Sequence, residues 1–261
     1  MLKAVRIETK GEREIALMRE ACAVVVAALK AVAAAAAAGA RTSELDRIAA
    51  AEIRRRGAKP AFLGYRGYPT TLCASINSEI VHGIPSDSRV LRDGDIVSFD
   101  LGAVVGGYYG DAALTVAVGE ISQRARELLD ATKEALKAGV ACARAGNRVG
   151  DIGAAVQRYA EQRGYSVVRE FVGHGIGRAL HEDPAVPNFG KPGTGERLLP
   201  GMTLAIEPMV NAGGPGARVL EDGWTAVTAD GSLSAHFEHT VVVTEGEPLV
   251  LTEGLIGGGK G

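Results

Sequence analysis

The sequence has few cysteines, few aromatic residues and almost no excess charge. Three cysteines in 261 residues, Cys22, Cys73 and Cys142, are an odd number without close spacing, which excludes a disulfide scaffold and favours a reducing compartment. The net charge of −2 gives no overall field for nucleic acid. The start of the chain lacks the pattern of a secretion signal. We therefore expect a cytoplasmic protein that does not read nucleic acid.

Long apolar runs are also scarce. The alanine-rich stretch 21–40 is interrupted by Lys30, and alanine favours a soluble helix over a membrane span. The remaining composition, 46% hydrophobic and 23% charged, is that of a globular protein. The length corresponds to about 1.7 domains, which leaves the number of domains open. Glycine is abundant, with 35 residues and no collagen period, which indicates many turns.

Apolar periodicity and turn residues predict helices, a hairpin and further short strands. The predicted helices cover residues 12–38, a segment from Thr42 or Ser43 to Gly57, and residues 122–145 and 150–163. Gly39 is available to end the first helix. Strands at 95–101 and 111–118 flank Gly106-Gly107, a strong hairpin signal. We expect the glycine-rich tail, residues 254–261, to be frayed.

The order of helices followed by strands occurs twice. A shift of 107 residues places Gly39 on Gly146 and Asp100 on Glu207, and a shift of 127 places Asp111 on Glu238. Because carboxylates fall on carboxylates in the same order, two related halves are expected, at about 12–120 and 121–251. We interpret residues 1–261 as one duplicated catalytic domain.

Four acids lie beside apolar strands. Asp100 ends the run 96–99, Glu207 ends the run 203–206, and Glu238 precedes the run 240–243. The hairpin is expected to bring Asp111 opposite Asp100, to within about a residue of register. Buried acids must share protons, pair with cations or bind metal. Metal is favoured because these strands carry few basic residues.

The histidines complete the donor set. All five, His82, His174, His181, His236 and His239, lie in strand-rich segments. Four carboxylates with an imidazole suit divalent manganese, iron, cobalt or zinc. So many carboxylates carry too much negative charge for one ion, whereas two ions that share bridging carboxylates would balance it.

Several segments resemble type I methionine aminopeptidases. They are Asn-Ser-Glu-Ile-Val-His-Gly-Ile-Pro at 77–85, Gly-His-Gly-Ile-Gly-Arg-Ala-Leu-His-Glu-Asp-Pro at 173–184, Glu-Pro-Met-Val at 207–210, Asp-Gly-Trp at 222–224 and Ala-His-Phe-Glu-His-Thr at 235–240. The resemblance runs from about Ile7 to Leu251. It implies an α+β pita-bread fold, in which two pseudo-symmetric αβ halves form a curved, mostly antiparallel sheet covered by helices. It also implies removal of the N-terminal methionine from nascent proteins and peptides with a small second residue.

The resemblance assigns roles to individual residues. The implied ligands of two divalent ions (Co, Mn, Fe or Zn) are Asp100, Asp111, His174, Glu207 and Glu238. Asp111 and Glu238 would bridge the ions, Asp100 would bind one ion, and His174 with Glu207 the other. Glu207 would also transfer the proton of the attacking water. His181 would stabilise the oxyanion, and His82 would contact the nitrogen of the scissile bond or the next residue.

An apolar pocket is implied for the methionine side chain. Its implied lining is Phe62, Tyr65, Tyr68, Cys73, Leu180 and Trp224, and aromatic and sulfur groups suit a polarisable thioether. Two positions depart from the family. Leu180 stands where an aromatic residue is common, and His236 stands in place of glutamine or a similar residue. His236 shares strand parity with Glu238, which leaves a supporting role open, whereas His239 lies on the other face and is expected to be structural.

Two alternative functions stay open. Proline-specific peptidases of the same fold, such as X-Pro aminopeptidases and prolidases, share the five ligands but usually carry a large N-terminal domain, for which this sequence leaves no room. A non-catalytic binding protein of the same fold would typically have lost ligands. The implied partners are N-termini of peptides and nascent chains, with proximity to the ribosome weakly supported by the basic cluster Arg54, Arg55, Arg56 and Lys59. We expect a monomer without membrane contact.

Overall fold

The computed structural model describes residues 7–256, and the predictions for residues 1–6 and 257–261 lie outside this range. The first helix, α1 (Glu12–Ala35), ends three residues before its predicted end. The chain leaves the helix there because the N–H of Gly39 donates to the carbonyl of Leu91, at 2.8 Å. Part of the predicted tail is described as well, and Leu255 is buried against the core.

Tertiary contacts also set the ends of the other helices. Helix α2 (Thr42–Arg55) starts where predicted, but the Thr42 hydroxyl bonds Ser86 instead of capping its own helix. Helix α3 (Gln123–Ala141) is capped by the Ser122 side chain and stops four residues early. The segment that follows turns away to pair with Thr244, whose carbonyl accepts from the N–H of Ala145. Helix α4 (Val149–Glu161) differs from its prediction by a residue or two at each end.

Short strands make up most of the remaining structure. Numbered in chain order, they are β1 (Lys59–Pro60), β2 (Cys73–Ile76), β3 (Glu79–Val81), β4 (Ile96–Val105), β5 (Tyr108–Ala117), β6 (Ser166–Val167), β7 (Gly173–Gly175), β8 (Glu182–Val186), β9 (Thr203–Ile206), β10 (Met209–Asn211), β11 (Ala217–Val219), β12 (Ala226–Thr228), β13 (Ser234–His236), β14 (His239–Val242) and β15 (Leu249–Val250). The ladders between them are antiparallel.

The longest hairpin joins β4 to β5 and turns at Gly106-Gly107, as predicted. Both glycines have positive φ, 57° and 82°, which is the backbone that a tight hairpin turn of this kind requires. In the first half, β4 lies between β2 and β5 and also pairs with β1. In the second half, the order is β15-β14-β9-β7-β8. Each half thus contributes one sheet in which two neighbouring strands carry the predicted acids or end directly beside them.

Helices cover these sheets. Helix α1 packs on β4 and β5, while α3 and α4 pack on each other and on strands of the second half. The arrangement confirms the predicted α+β fold with mixed helices and antiparallel sheets. Within residues 7–256, no helix is long and apolar enough to cross a membrane.

Candidate metal centre

The first pair of acids is held by the β4–β5 hairpin. Asp100 pairs with Ala113 and Asp111 pairs with Gly102, so the two acids are offset by two residues along the ladder. The predicted offset of about one residue was wrong. An offset of one would have placed the acids on opposite faces of the sheet, because side chains alternate along a strand. The observed offset keeps both acids on one face.

The second pair comes from β9 and β14. Glu207 directly follows β9, and Glu238 directly precedes β14. The last paired residues of that ladder are Ile206 and His239, so Glu207 and Glu238 are the next positions on the two strands. The N–H of Glu238 donates to the carbonyl of Ala113 at 2.9 Å. This hydrogen bond ties the acids of the second half to the hairpin of the first.

His174 lies on β7 with its ring turned towards these acids. Its Nδ1 lies 2.9 Å from the carbonyl oxygen of Gly175. A carbonyl only accepts, so Nδ1 carries the hydrogen and Nε2 keeps its lone pair. That Nε2 is 3.5 Å from Oε1 of Glu207 and 3.9 Å from Oδ2 of Asp111. The tautomer therefore suits a metal ligand whose other nitrogen is fixed by the backbone.

The four acids lie close together and largely out of water, without an arginine or lysine partner in the described chain, an arrangement that a bound cation would stabilise. Burial, followed by the charge of Asp111, raises the pKa of Asp100, and burial raises the pKa of Asp111 from 3.8 to about 7. Burial together with the neighbouring carboxylates also raises the pKa of Glu207 and of Glu238. Conversely, burial lowers the pKa of His174 to about 3, which keeps the ring neutral. Among residues 7–256, no arginine or lysine forms an ion pair with any of the four acids.

The donor atoms fit divalent metal ions. Asp111, His174 and Glu238 each offer a ligand atom, and these atoms lie within 4.8 Å of one another. Within the described chain, Oδ1 of Asp100, Oδ1 of Asp111 and Oε1 of Glu238 are buried and have no hydrogen-bond partner. An unpaired buried carboxylate oxygen is costly, whereas a metal ion would satisfy it. The residues present thus match the predicted oxygen-rich centre with one imidazole.

Two further histidines flank the cluster. The ring of His181 lies 4.2 Å from that of His174, and its Nδ1 is 2.8 Å from the hydroxyl of Tyr65, which stacks on it. His82 has a positive φ of 62° and packs edge-on against Phe171. Burial lowers the pKa of His82 to about 4, and partial burial, followed by the charge of Arg66, lowers that of His181. Both rings are therefore neutral at pH 7.

One pocket brings together every predicted site residue. Its empty volume is about 680 Å³, and its lining comprises Phe62, Tyr65, Arg66, Tyr68, Cys73, His82, Asp100, Asp111, His174, Leu180, His181, Glu207, Trp224 and Glu238. Acidic side chains therefore share this pocket with aromatic and aliphatic ones. Tyr68 packs edge-on against Trp224, with ring centroids 5.1 Å apart. The structure thus brings the predicted ligands and the predicted apolar lining to one place, and their individual roles stay predictions.

Sequence reasoning missed one lining residue, left the role of His236 open and expected His239 to be structural. Arg66 is exposed at the pocket, with a positive φ of 49° between Gly64 and Gly67, and those flanking glycines were the available signal. His236 is buried, does not line the pocket, and has its Nε2 3.7 Å from Oε2 of Glu207. His239 instead bonds Thr252 at 2.8 Å, in agreement with the expected structural role.

The chain is similar to known metallopeptidases over nearly its whole length. The model of Metallopeptidase family M24 matches residues 16–245. A methionine aminopeptidase of Clostridium acetobutylicum is 50% identical over 243 residues, which are 93% of this chain and 97% of the relative.

Solved structures agree with the sequence comparison. The methionine aminopeptidase of Thermotoga maritima superposes with a TM-score of 0.93 at 46% identity, and the match covers 95% of this chain and 99% of that one. The prolidase of Pyrococcus furiosus gives a lower TM-score of 0.74 at 25% identity, and only 65% of its longer chain is covered.

Proposed function

The chain belongs to metallopeptidase family M24, and on this premise we propose how its pocket removes methionine from the N-termini of peptides and proteins. It is a metal-dependent hydrolase with methionine aminopeptidase activity. The observation that carries the mechanism is the convergence of four carboxylates and one imidazole beneath an apolar pocket. The remaining proposals concern the number of ions, the roles of single residues and the choice of substrate.

Five residues would hold the metal. Within the described chain, four acids line the pocket, and His174 is the lining imidazole whose Nε2 lies within 3.9 Å of two of them; the five residues are Asp100, Asp111, His174, Glu207 and Glu238. We propose two divalent ions, for which the chemistry of the donors suits manganese, iron, cobalt or zinc, because four carboxylates carry more negative charge than one divalent ion balances. Bound ions supply Lewis acidity, which lowers the pKa of water and polarises a peptide carbonyl.

Glu207 is the proposed proton carrier. It takes the proton of the attacking water and delivers it to the leaving nitrogen, so that the amine departs neutral. Its position supports this role, because its carboxylate lies between the imidazoles of His174 and His236, at 3.5 Å and 3.7 Å. Burial, followed by the charges of Asp100 and Asp111, raises the pKa of Glu207 above its ordinary value, which favours uptake of a proton by this carboxylate.

His181 and His82 are the proposed contacts to the scissile peptide. If the Tyr65 hydroxyl donates to Nδ1 of His181, then Nε2 carries the hydrogen and can donate to the developing oxyanion. His82 approaches from the other wall, where its ring lies 6.2 Å from that of Trp224. There it would contact the nitrogen of the scissile bond or the residue after it.

The apolar walls suit an unbranched thioether side chain. Tyr68, Cys73 and Leu180 are each 3% exposed and shape the buried end of the pocket. Methionine is flexible and polarisable, and it packs well on aromatic and sulfur groups. We propose that the second substrate residue is small, as the resemblance implies.

The natural substrates would be nascent chains in the cytoplasm, processed by a monomer. This proposal is supported by the similarity to bacterial methionine aminopeptidases. A contact with the ribosome would use the basic end of α2. There, Arg55 and Arg56 bond Glu52, and Arg54 is exposed.

Peptide cleavage by the anaerobically purified, metal-loaded protein tests the function. We expect release of methionine from Met-Ala-Ser, little from Met-Lys-Ser, and no cleavage of Ala-Pro peptides. The Glu207→Gln variant should lose turnover. Cleavage of Ala-Pro in preference to Met-Ala-Ser would contradict the proposed specificity, and full activity of Glu207→Gln would contradict the proposed proton carrier.

A further inference from the structure

A buried ion pair joins the segment before α1 to the loop that carries His181. The ammonium of Lys10 contacts Oε2 of Glu182, 172 positions further along the chain. The side chains are 3% and 14% exposed, so both charges are largely removed from water. A buried charge that loses its partner is strongly unfavourable, which makes this pair a fixed link.

Glu182 in turn holds the turn that precedes it. Its Oε1 accepts hydrogen bonds from the backbone N–H of Arg178, at 2.6 Å, and of Ala179, at 3.1 Å. The carboxylate of Glu182 therefore joins the end of the loop 177–182 to the backbone near its start. Two members of this loop, Leu180 and His181, line the pocket. The conformation that presents them depends on the position of Glu182.

Lys10 is itself held on both sides. Its backbone N–H donates to the carbonyl of Gly201 at 2.7 Å, and its Nζ also donates to the carbonyl of Glu8 at 3.2 Å. Its side chain lies directly over Gly177. A Cβ at that glycine would overlap Cε of Lys10 and lie 2.8 Å from Nζ. A side chain at position 177 would therefore have to displace the end of the Lys10 side chain from the pair.

We propose that Lys10 is a positioning residue for hydrolysis: through Glu182 it fixes the loop 177–182, and so places His181 at the scissile carbonyl. The inference rests on the role proposed above for His181. Neither residue of the pair lines the pocket, so the pair acts on the substrate only through the loop. The Tyr65 hydroxyl holds the His181 ring, and the Lys10–Glu182 pair holds the backbone beneath it.

A double-mutant cycle with His181 tests this coupling. In the metal-loaded full-length protein, Lys10→Met should lower kcat for Met-Ala-Ser by about 10- to 100-fold, the size expected for a misplaced catalytic group. In the His181→Ala background, the same substitution should lower kcat by less than about twofold, because one residue acts through the other. Arg144→Met, which breaks the exposed pair with Glu247 outside the pocket lining, is the charge-loss control and should keep wild-type kcat.

Two further measurements distinguish a local change in the loop from a general loss of folding. Glu182→Gln keeps an oxygen for the two N–H donors but removes the charge, and it should reproduce the non-additive loss of kcat. Hydrogen exchange of the peptide that covers residues 177–182 should accelerate in Lys10→Met, while exchange in α3 stays at the wild-type rate. Equal losses of kcat with and without His181, or unchanged exchange of the loop, would overturn the proposal. Absence of methionine release by the wild-type protein would instead contradict the proposed function.

Discussion

The hydroxyl of Thr240 bonds both backbone groups of Asp111. It accepts from the N–H at 3.2 Å and donates to the carbonyl at 2.7 Å. Thr240 lies on β14 of the second half, and Asp111 lies on β5 of the first. The contact therefore aligns the two halves at the residue proposed to bridge the metal ions.

We predict that Thr240→Val weakens both folding and metal binding. Valine keeps the shape of threonine but removes the partner of the buried N–H and of the buried carbonyl of Asp111. Each buried group left without a partner lowers the free energy of unfolding by about 1–3 kcal/mol. Loss of such a supporting contact lowers metal affinity by about 10- to 100-fold. Chemical denaturation and calorimetric titration with Mn²⁺ measure the two effects.

Thr132→Val is the matched control for this substitution. Its hydroxyl is buried and bonds the carbonyl of Leu128 within α3, at 2.7 Å, so its loss leaves the helix ladder intact. Metal affinity should stay at the wild-type value. Equal loss of affinity in both variants would show that the hydroxyl of Thr240 does not support the centre.

The acids should make the metal-free protein sensitive to pH. Burial raises the pKa of Asp111 to about 7 in the folded state, against 3.8 for the ordinary group. Between these pH values the folded chain holds a proton on Asp111 that the unfolded chain has released. The contribution of Asp111 to the free energy of unfolding therefore falls as pH rises. Asp111→Asn removes that dependence. We expect the metal-free variant to become increasingly more stable than the metal-free wild type between pH 4 and pH 7.

Saturating metal should reverse this order. Ions that bind only the folded state stabilise it, and the variant lacks one of their ligands. Thermal unfolding with and without Mn²⁺ gives the comparison at each pH. If the metal-free wild type is instead more stable than the metal-free variant at pH 7, burial does not raise the pKa of Asp111 as described.

His181 should contribute to the rate and not to metal binding. We predict that His181→Ala lowers kcat by about 10²- to 10³-fold, the usual effect of removing one oxyanion donor. Metal content should be unchanged, because His181 lies beside the proposed ligand His174 and is not itself a proposed ligand. Tyr65→Phe keeps the apolar wall but removes the hydroxyl that orients the ring, and should give a smaller loss. A fall in bound metal that matches the fall in kcat would contradict the assignment.

The single tryptophan of the chain, Trp224, reports on the pocket. Methionine should change its fluorescence because a buried thioether would pack near the ring. Norleucine, which has a similar shape, should give a comparable change, and lysine should give little. The experiment uses Glu207→Gln with bound metal. Equal responses to lysine and methionine would show that the apolar walls do not select the side chain.

Much of the site could be predicted because its chemistry is local in the sequence. Acids at the ends of apolar strands are unusual enough to stand out, and the glycine pair marks the hairpin that carries two of them. The repeat relates Asp100 to Glu207 and Asp111 to Glu238 without any structure. These features depend on residue type and order, which the sequence states directly.

Features set by distant contacts were missed. The register of Asp100 and Asp111 depends on where both strands extend towards the turn, and the helix ends depend on partners such as Leu91 and Thr244. Lys10 and Glu182 are 172 positions apart, and the residues around each of them contain no pattern that predicts the contact. Such contacts follow from packing and become visible only in the folded chain.

Anomalous diffraction from crystals loaded with Co²⁺ tests the central claim most directly. We expect two cobalt peaks in the pocket, with Asp111 and Glu238 in contact with both, His174 and Glu207 on one, and Asp100 on the other. A single peak at full loading, or peaks that contact neither Asp111 nor Glu238, would contradict the two-metal centre.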